Sequence, residues 1–345
     1  MRNQIRILIC AVFLLLVYSS ALAQSACPPA GCGIDASTIE AHRWPNVRPL
    51  QIDENLIGDR DYRQIDGAFA IHSAPNSEAS ESYGSGYTFV TVVEQHGEWT
   101  RIGDNEWVRS ELLSESVTPS RFAGVLLPTG DDALPFTVAW TLQHLRGAKS
   151  PGGAQAPDNP FRYRYTRVYI YDTVPVDGYD WYQIGANEWV HQFKVAKILP
   201  IDRPEAVDTH KWVSVDLYEQ VAIAYEDEVP VFATLISSGL EEWPTNEGVF
   251  HVYVRFTRKL MSGAYNQPDF YYLQEVPWTM FFDDQIALHG AYWHDGFGFR
   301  RSHGCVNMTV TDAHWLFEWA RSEYDWSNGD YVGPAVYVYS SGEYD

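Results

Sequence analysis

Short alternations of apolar and polar residues, rather than long helical stripes, run through this chain. Residues 87–93 and 164–171 read as β-rich runs, and residues 212–217 (Trp-Val-Ser-Val-Asp-Leu) alternate as a half-buried strand. Further strands are predicted at 221–225, 229–236, 249–256, 285–288 and 331–339. One helix stands out: Thr311 or Asp312 can cap an amphipathic stretch at 313–322, with Trp315, Leu316 and Trp319 on its apolar side. In the middle third, residues 97–108 (GEWTRIGDNEWV) recur 82 residues later as 179–190 (YDWYQIGANEWV), with seven identities in twelve positions. Each copy predicts a hairpin: a strand, a tight turn at Gly-x-Asn and a second strand through Trp-Val. Residues 147–160, rich in Gly, Pro, Ala and Ser, predict an exposed loop inside the second copy's unit. A sharper break at 200–204 opens a third unit that runs to the end of the sequence.

Composition narrows the class. At 345 residues, 46% hydrophobic and 20% charged, the chain is a folded protein of two or three domains, and 15% aromatics favour a mainly β fold. The net charge of -21 repels a phosphate backbone, which excludes nucleic acid as a partner. Arg2 and Arg6 precede an apolar run at 7–17, and Ala21-Leu22-Ala23 supplies a signal-peptidase site, so residues 1–23 read as a cleavable signal peptide. Eleven apolar residues span about 16 Å as a helix, roughly half a bilayer core, so no permanent membrane span is expected and the chain reads as exported. In an oxidising compartment Cys27 and Cys32, in the lead-in segment 24–57, are expected to pair, contributing about 2 kcal/mol. Cys10 leaves with the signal, and Cys305 is the odd thiol.

Cys305 lies in Ser302-His303-Gly304-Cys305-Val306-Asn307, a turn between the strand ending at Leu288-His289-Gly290 and the capped helix. Gly304 permits a backbone that turns the thiol and its neighbouring amides toward a substrate. A thiol needs a base or cation beside it to act as a nucleophile. His303, two residues away in an extended turn, points aside and supports. His289 comes from a neighbouring strand and is the candidate base, with the Gly290 carbonyl or Ser302 to orient it. The amides of Gly304 and Cys305 are candidate oxyanion donors. Arg300 and Arg301 can meet substrate carboxylates, and Tyr292, Trp293, Phe297 and Phe299 can wall an acceptor cleft. Two other classes compete. His289, His294, His303 and Cys305 are metal-type side chains, but tight Cys-x-x-Cys pairs are absent, so no metal and no cofactor are expected. A non-catalytic wall-binding protein is the other alternative, and the intact Cys305 and His289 argue against it.

The His-Gly followed by Ser-His-Gly-Cys-Val-Asn resembles the YkuD-type L,D-transpeptidase signature over roughly residues 211–340, including Ser237-Ser238-Gly239. Where that family usually shows Thr-Pro-x-Gly, this chain has Thr245-Asn246-Glu247-Gly248. The repeats resemble bacterial SH3-like domains. Together these imply two small SH3-like barrels, at 58–118 and 119–200, ahead of a β-rich catalytic domain at 208–340 with a few short helices. The resemblance implies that Cys305 is the nucleophile, His289 the proton donor and acceptor, and Asn307 a substrate-side polar group. The implied partners are peptidoglycan stem peptides, as donor and acceptor, with wall polymer on the Trp-rich repeats. The implied reaction is cross-linking through a cysteinyl thioester, with hydrolysis of the same donor by an L,D-carboxypeptidase as the alternative.

Overall fold

The computed structural model of the chain describes residues 32–129, 134–323 and 333–343. The fold is mainly β. In the third unit, Lys211–Asp216 lies between the antiparallel Val221–Glu226 and the parallel Ala335–Tyr339. Val229–Leu235 and Gly248–His251 continue this first sheet on its two sides. In a second sheet, Ile286–Gly290 lies between the antiparallel Tyr271–Asp283 and the parallel Val306–Met308. Val213, Val215 and Leu217 enter a core shared with Met280, Leu288, Val306 and the helix residues Leu316 and Phe317, and the strand expected to be half-buried is buried on both faces, since Trp212, Ser214 and Asp216 are also covered. Burial of these apolar side chains, each contributing about 1.5–3 kcal/mol, holds the site-bearing strands in register.

Two expectations about the elements are corrected. The helix is Val310–Trp319 and its cap is Thr309, whose side chain accepts from the Asp312 N–H; Thr311 and Asp312 are buried inside the first turn. Asp312 is diverted by the packing: its carboxylate accepts from the Gly124 N–H at 2.8 Å and the Thr234 hydroxyl at 2.6 Å. The run at 249–256 is two strands, because the Val252 N–H bonds to the Pro334 carbonyl and the next N–H, of Tyr253, to that of Phe281. The chain changes sheet there, and Val254–Gly263 pairs with Tyr271–Asp283. That thirteen-residue partner escaped the pattern because Pro277 and the left-handed Glu275 (φ 50°) and Trp278 (φ 56°) break its alternation.

The repeat extends well beyond the hairpin. Trp99–Gly103 and Glu106–Arg109 pair as predicted, and so do Tyr179–Gly185 and Glu188–His191. Asn105 (φ 57°) and Asn187 (φ 53°) take the left-handed turn position. A Cβ on Gly103 or Gly185 would lie 2.2 or 2.6 Å from the carboxylate of Glu106 or Glu188, which explains the invariant Gly-x-Asn-Glu of the two copies. Each copy adds a second three-stranded arrangement: Tyr87–Val92, Asp61–Ile65 and Leu113–Val117 in the first, and Arg167–Ile170, Thr137–Thr141 and Val195–Lys197 in the second. The strands lie in separate open sheets, and no closed barrel forms among the described residues. The first copy is recruited by the third unit. In the first copy Tyr87–Val92 pairs in parallel with Tyr271–Asp283, so the copy's strands continue the second sheet of the third unit. Val125–Leu126 and Arg48–Pro49 likewise extend the first sheet beyond Val229–Leu235. In the second copy the corresponding strand, Arg167–Ile170, ends its sheet.

Residues 147–160 are mostly exposed, as expected, but are pinned by Asn159, whose amide donates to the carbonyls of Gly147 and Asn187 at 2.9 Å. Cys32 is disulfide-bonded. Its expected partner Cys27, like the expected signal peptide 1–23, lies outside the described residues. Among the described residues no helix is long and apolar enough to cross a membrane.

Candidate active site

Cys305 precedes the Val306–Met308 strand at the floor of a cavity of about 1000 Å³. The parallel register sets His289 opposite Asn307 and Leu288 opposite Val306. His289 and Asn307, paired across the two strands, and Cys305, two residues before Asn307, all line the cavity. His289 is 2% exposed and Cys305 is half-buried; both line the cavity. The His289 Nδ1–H donates to the Gly290 carbonyl at 3.1 Å, which leaves Nε2 as the acceptor. Burial pushes the imidazole down to about 4 and the Cys305 thiol up to about 11, so the resting pair is neutral. The thiol lies 3.7 Å from the Gln285 carbonyl.

The turn is tied from inside. The Ser302 Oγ donates to the Cys305 carbonyl at 2.5 Å and accepts from the Gly304 N–H at 3.1 Å. Gly304 sits at φ 110°, where a side chain would be strained, and a Cβ there would also press on Ile286 at 3.3 Å. The Gly304 amide is thus engaged by Ser302, which corrects the expectation that it faces a substrate oxyanion. The Cys305 N–H has no protein acceptor among the described residues. The Gly304 carbonyl accepts from the buried Thr245 hydroxyl at 2.7 Å, and that oxygen accepts from the Gly239 N–H at 3.0 Å. Thr245 is a positioning residue that the sequence marked only as part of a family turn.

The other expected residues divide. Trp293 lines the cavity with its ring 5.7 Å from His289. Tyr292 does not: it is fully buried, stacked on Tyr62 at 3.6 Å and donating to the Gln274 carbonyl at 2.7 Å. Phe297 is also core, and exposed Phe299 stands away from the cavity. Arg301 lines the cavity near Tyr87, whereas Arg300 does not line it. His303 stands in the wall with its ring 4.2 Å from Trp243 and 5.2 Å from Tyr271. Asn307 faces His294 Nε2 at 3.1 Å, while His294 Nδ1 accepts from the Gly296 N–H at 3.0 Å. Burial keeps His294 neutral, down to about 3, so its proton sits on Nε2 and the carboxamide end that satisfies it is the Asn307 oxygen. Sequence reasoning also missed the opposite wall: Phe256, Leu260 and Met261 from one strand, and Gly86 and Tyr87 from the first repeat. No local pattern links those residues to Cys305. Among the described residues no group of three or more His, Cys, Asp or Glu is placed to hold a metal ion.

Residues 210–338 match the YkuD family, described as the L,D-transpeptidase catalytic domain. Over 128 residues the chain is 27% identical to the Bacillus subtilis (strain 168) protein "Putative L,D-transpeptidase YciB", an alignment covering 33% of this chain and 63% of that protein. The chain therefore spans a little less than two thirds of the length of this curated relative. Among solved structures, the chain is similar to the catalytic domain of the E. faecium L,D-transpeptidase, with 25% identity, 39% of this chain and 100% of that one covered, and a TM-score of 0.32. The L,D-transpeptidase from Mycobacterium smegmatis aligns at 17% identity over 65% of this chain and 93% of its own, with a TM-score of 0.34.

Proposed function

We propose that this chain is an exported L,D-transpeptidase that cross-links peptidoglycan stem peptides through a thioester on Cys305. The observation that carries the reading is that Cys305, just before Val306–Met308, and His289, on the strand beside it with Nδ1 tethered to the Gly290 carbonyl, line the same large cleft. Cys305 attacks the carbonyl of the L-centre of a diamino acid in a tetrapeptide stem. His289 Nε2 takes the thiol proton as the S–C bond forms, and the imidazolium is held by the Gly290 carbonyl. The Cys305 N–H faces the oxyanion, an interaction worth roughly 3–4 kcal/mol when well aimed. Collapse expels the terminal D-alanine, whose amine leaves with the proton from His289. An amine of a second stem then attacks the thioester, His289 takes its proton, and the thiol is restored.

Arg301 meets a stem carboxylate, and Trp293 with the opposite aromatic wall keeps water from the thioester. The two duplicated units are SH3-like modules. What supports that reading is their shared plan of the Gly-x-Asn-Glu hairpin set beside a second group of three strands. The test is to supply a tetrapeptide donor with and without a free diamino acid amine and to follow intact mass and products. A thioester adduct on wild type, none on Cys305→Ala, and a cross-linked product with acceptor are expected. Tripeptide alone at saturating acceptor makes the chain a carboxypeptidase and overturns the transfer.

A further inference from the structure

The repeat tryptophans make a poor ligand platform: Trp99 and Trp189 are buried, and Trp107 and Trp181 are half-buried. Trp44 is different. It is 65% exposed, the one exposed tryptophan among the described residues, and it edges a cleft of about 620 Å³ between the lead-in segment and the second repeat. The volume falls in the range of ligand clefts, about 300–1,000 Å³. Arg121, Arg164 and Arg167 line this cleft with a single acid, Asp295, in a chain with 45 acids and only 24 basic residues. Asp295 is already engaged: it accepts from the Ser120 hydroxyl at 2.5 Å and lies 3.7 Å from Arg164, and its backbone carbonyl accepts from Tyr165 at 2.9 Å. Arg121 is held by Glu54 outside the cleft lining. The Arg167 guanidinium has no protein partner among the described residues, and the Arg164 Nε is buried without an acceptor.

A half-buried cation with open donors calls for a planar anion, since the guanidinium fork matches a carboxylate in two parallel hydrogen bonds. The Arg43 guanidinium covers one side of the Trp44 ring at 5.5 Å, and the indole surface still exposed on the rim calls for a ligand with a flat, weakly polar ring surface, such as a pyranose. Trp44 and Arg167 also line an adjoining cleft of about 280 Å³ that reaches Arg43, so the groove continues past the indole, as an extended ligand requires. No residue lines both this cleft and the catalytic cavity, although the loop bearing His294 also supplies Asp295.

We infer that the cleft around Trp44 and Arg167 binds a carboxylate-bearing glycopeptide, the repeating unit of wall polymer, as a holding site apart from the nucleophile. The identity of the polymer rests on the function proposed above. Arg167 takes a stem carboxylate and Trp44 stacks on a sugar ring.

The experiment measures sedimentation of the full chain with purified peptidoglycan sacculi. It also measures calorimetric binding of a soluble disaccharide-tetrapeptide, with chitotetraose and the free tetrapeptide as comparison ligands. Trp44→Ala and Arg167→Gln are each expected to weaken glycopeptide binding about tenfold, as loss of one charge-assisted or stacking contact does. Turnover of a small tetrapeptide donor should stay within about twofold, and the melting temperature should be unchanged. Arg167→Lys retains charge without the fork and should fall between. Unchanged binding in Arg167→Gln, or chitotetraose binding as tightly as the glycopeptide, overturns the inference. Intact glycopeptide binding with no thioester on Cys305 would sink the proposed reaction while leaving this site standing.

Discussion

The neutral resting state of the Cys305 and His289 pair has a direct kinetic signature in alkylation by a small uncharged reagent such as iodoacetamide. Only the thiolate reacts, and a thiol held at about 11 is ionised to about one part in ten thousand at pH 7, against a few per cent for an unperturbed cysteine. The structure therefore predicts alkylation a few hundred-fold slower than that of an exposed cysteine at pH 7, rising about tenfold per pH unit toward pH 11. Because burial sets the thiol, His289→Gln should leave this profile nearly unchanged. The same substitution should lower turnover by about 10²–10⁴-fold, because the proton acceptor is needed only as the S–C bond forms. The assay is stopped-time mass spectrometry of the Cys305 adduct from pH 6 to 10, beside product formation from a tetrapeptide donor. A plateau in wild type by pH 7 to 8, lost in His289→Gln, would mean a standing thiolate and imidazolium pair and would refute the argument from burial. His289 also fixes a sign: its folded value is depressed from 6.5 to about 4, so its contribution to stability is present above 6.5 and is lost as pH falls through that window.

Thr245→Val removes the hydroxyl that joins the Gly239 N–H to the Gly304 carbonyl and should cost about 1–3 kcal/mol, with turnover falling alongside. Scanning calorimetry checks it, and an unchanged melting temperature would contradict the tie. Asp312 is raised from 3.8 to about 6 by burial, so the stability its protonated form supports is full below 3.8 and is lost as pH rises to 6. Asp312→Asn, able to accept from Gly124 and donate to the Thr234 oxygen, should therefore gain relative to wild type by up to roughly 3 kcal/mol between pH 4 and 7. Urea unfolding at both pH values reads this, and a difference that does not grow with pH would count against it. Removing residues 58–118 takes Tyr87–Val92 and the strands behind it from the sheet that bears the site, so the shortened chain should be insoluble or inactive. A soluble, active product would show that the third unit is self-sufficient.

What the sequence disclosed follows the range of the interactions involved. The hairpins at Gly103 and Gly185 were legible because their causes lie within four residues: a left-handed Asn and a Glu folded over a glycine. The turn around Gly304 was legible for the same reason, and so was the neighbouring strand that carries His289. The Thr245 tie was not, since its partner is 59 residues away and a threonine before a turn has many uses. Tyr292 and Trp293 could not be told apart, because the partner that draws Tyr292 inward is Tyr62, in the first repeat. The parallel pairing of Tyr87–Val92 with Tyr271–Asp283 carries no local signal at all. Yet the two repeats, set beside each other, explain it. The same motif glutamate is used in two ways: Glu188 pairs with Arg162 of its own unit at 2.5 Å, while Glu106 accepts from Gln274 on the site-bearing sheet at 3.3 Å. Gln274 also accepts from the Thr91 N–H at 2.9 Å, clamping the first repeat to that strand. One copy thus satisfies its motif carboxylate internally. The other turns the equivalent carboxylate outward onto the strand that walls the cleft, which makes the first repeat a part of the catalytic architecture.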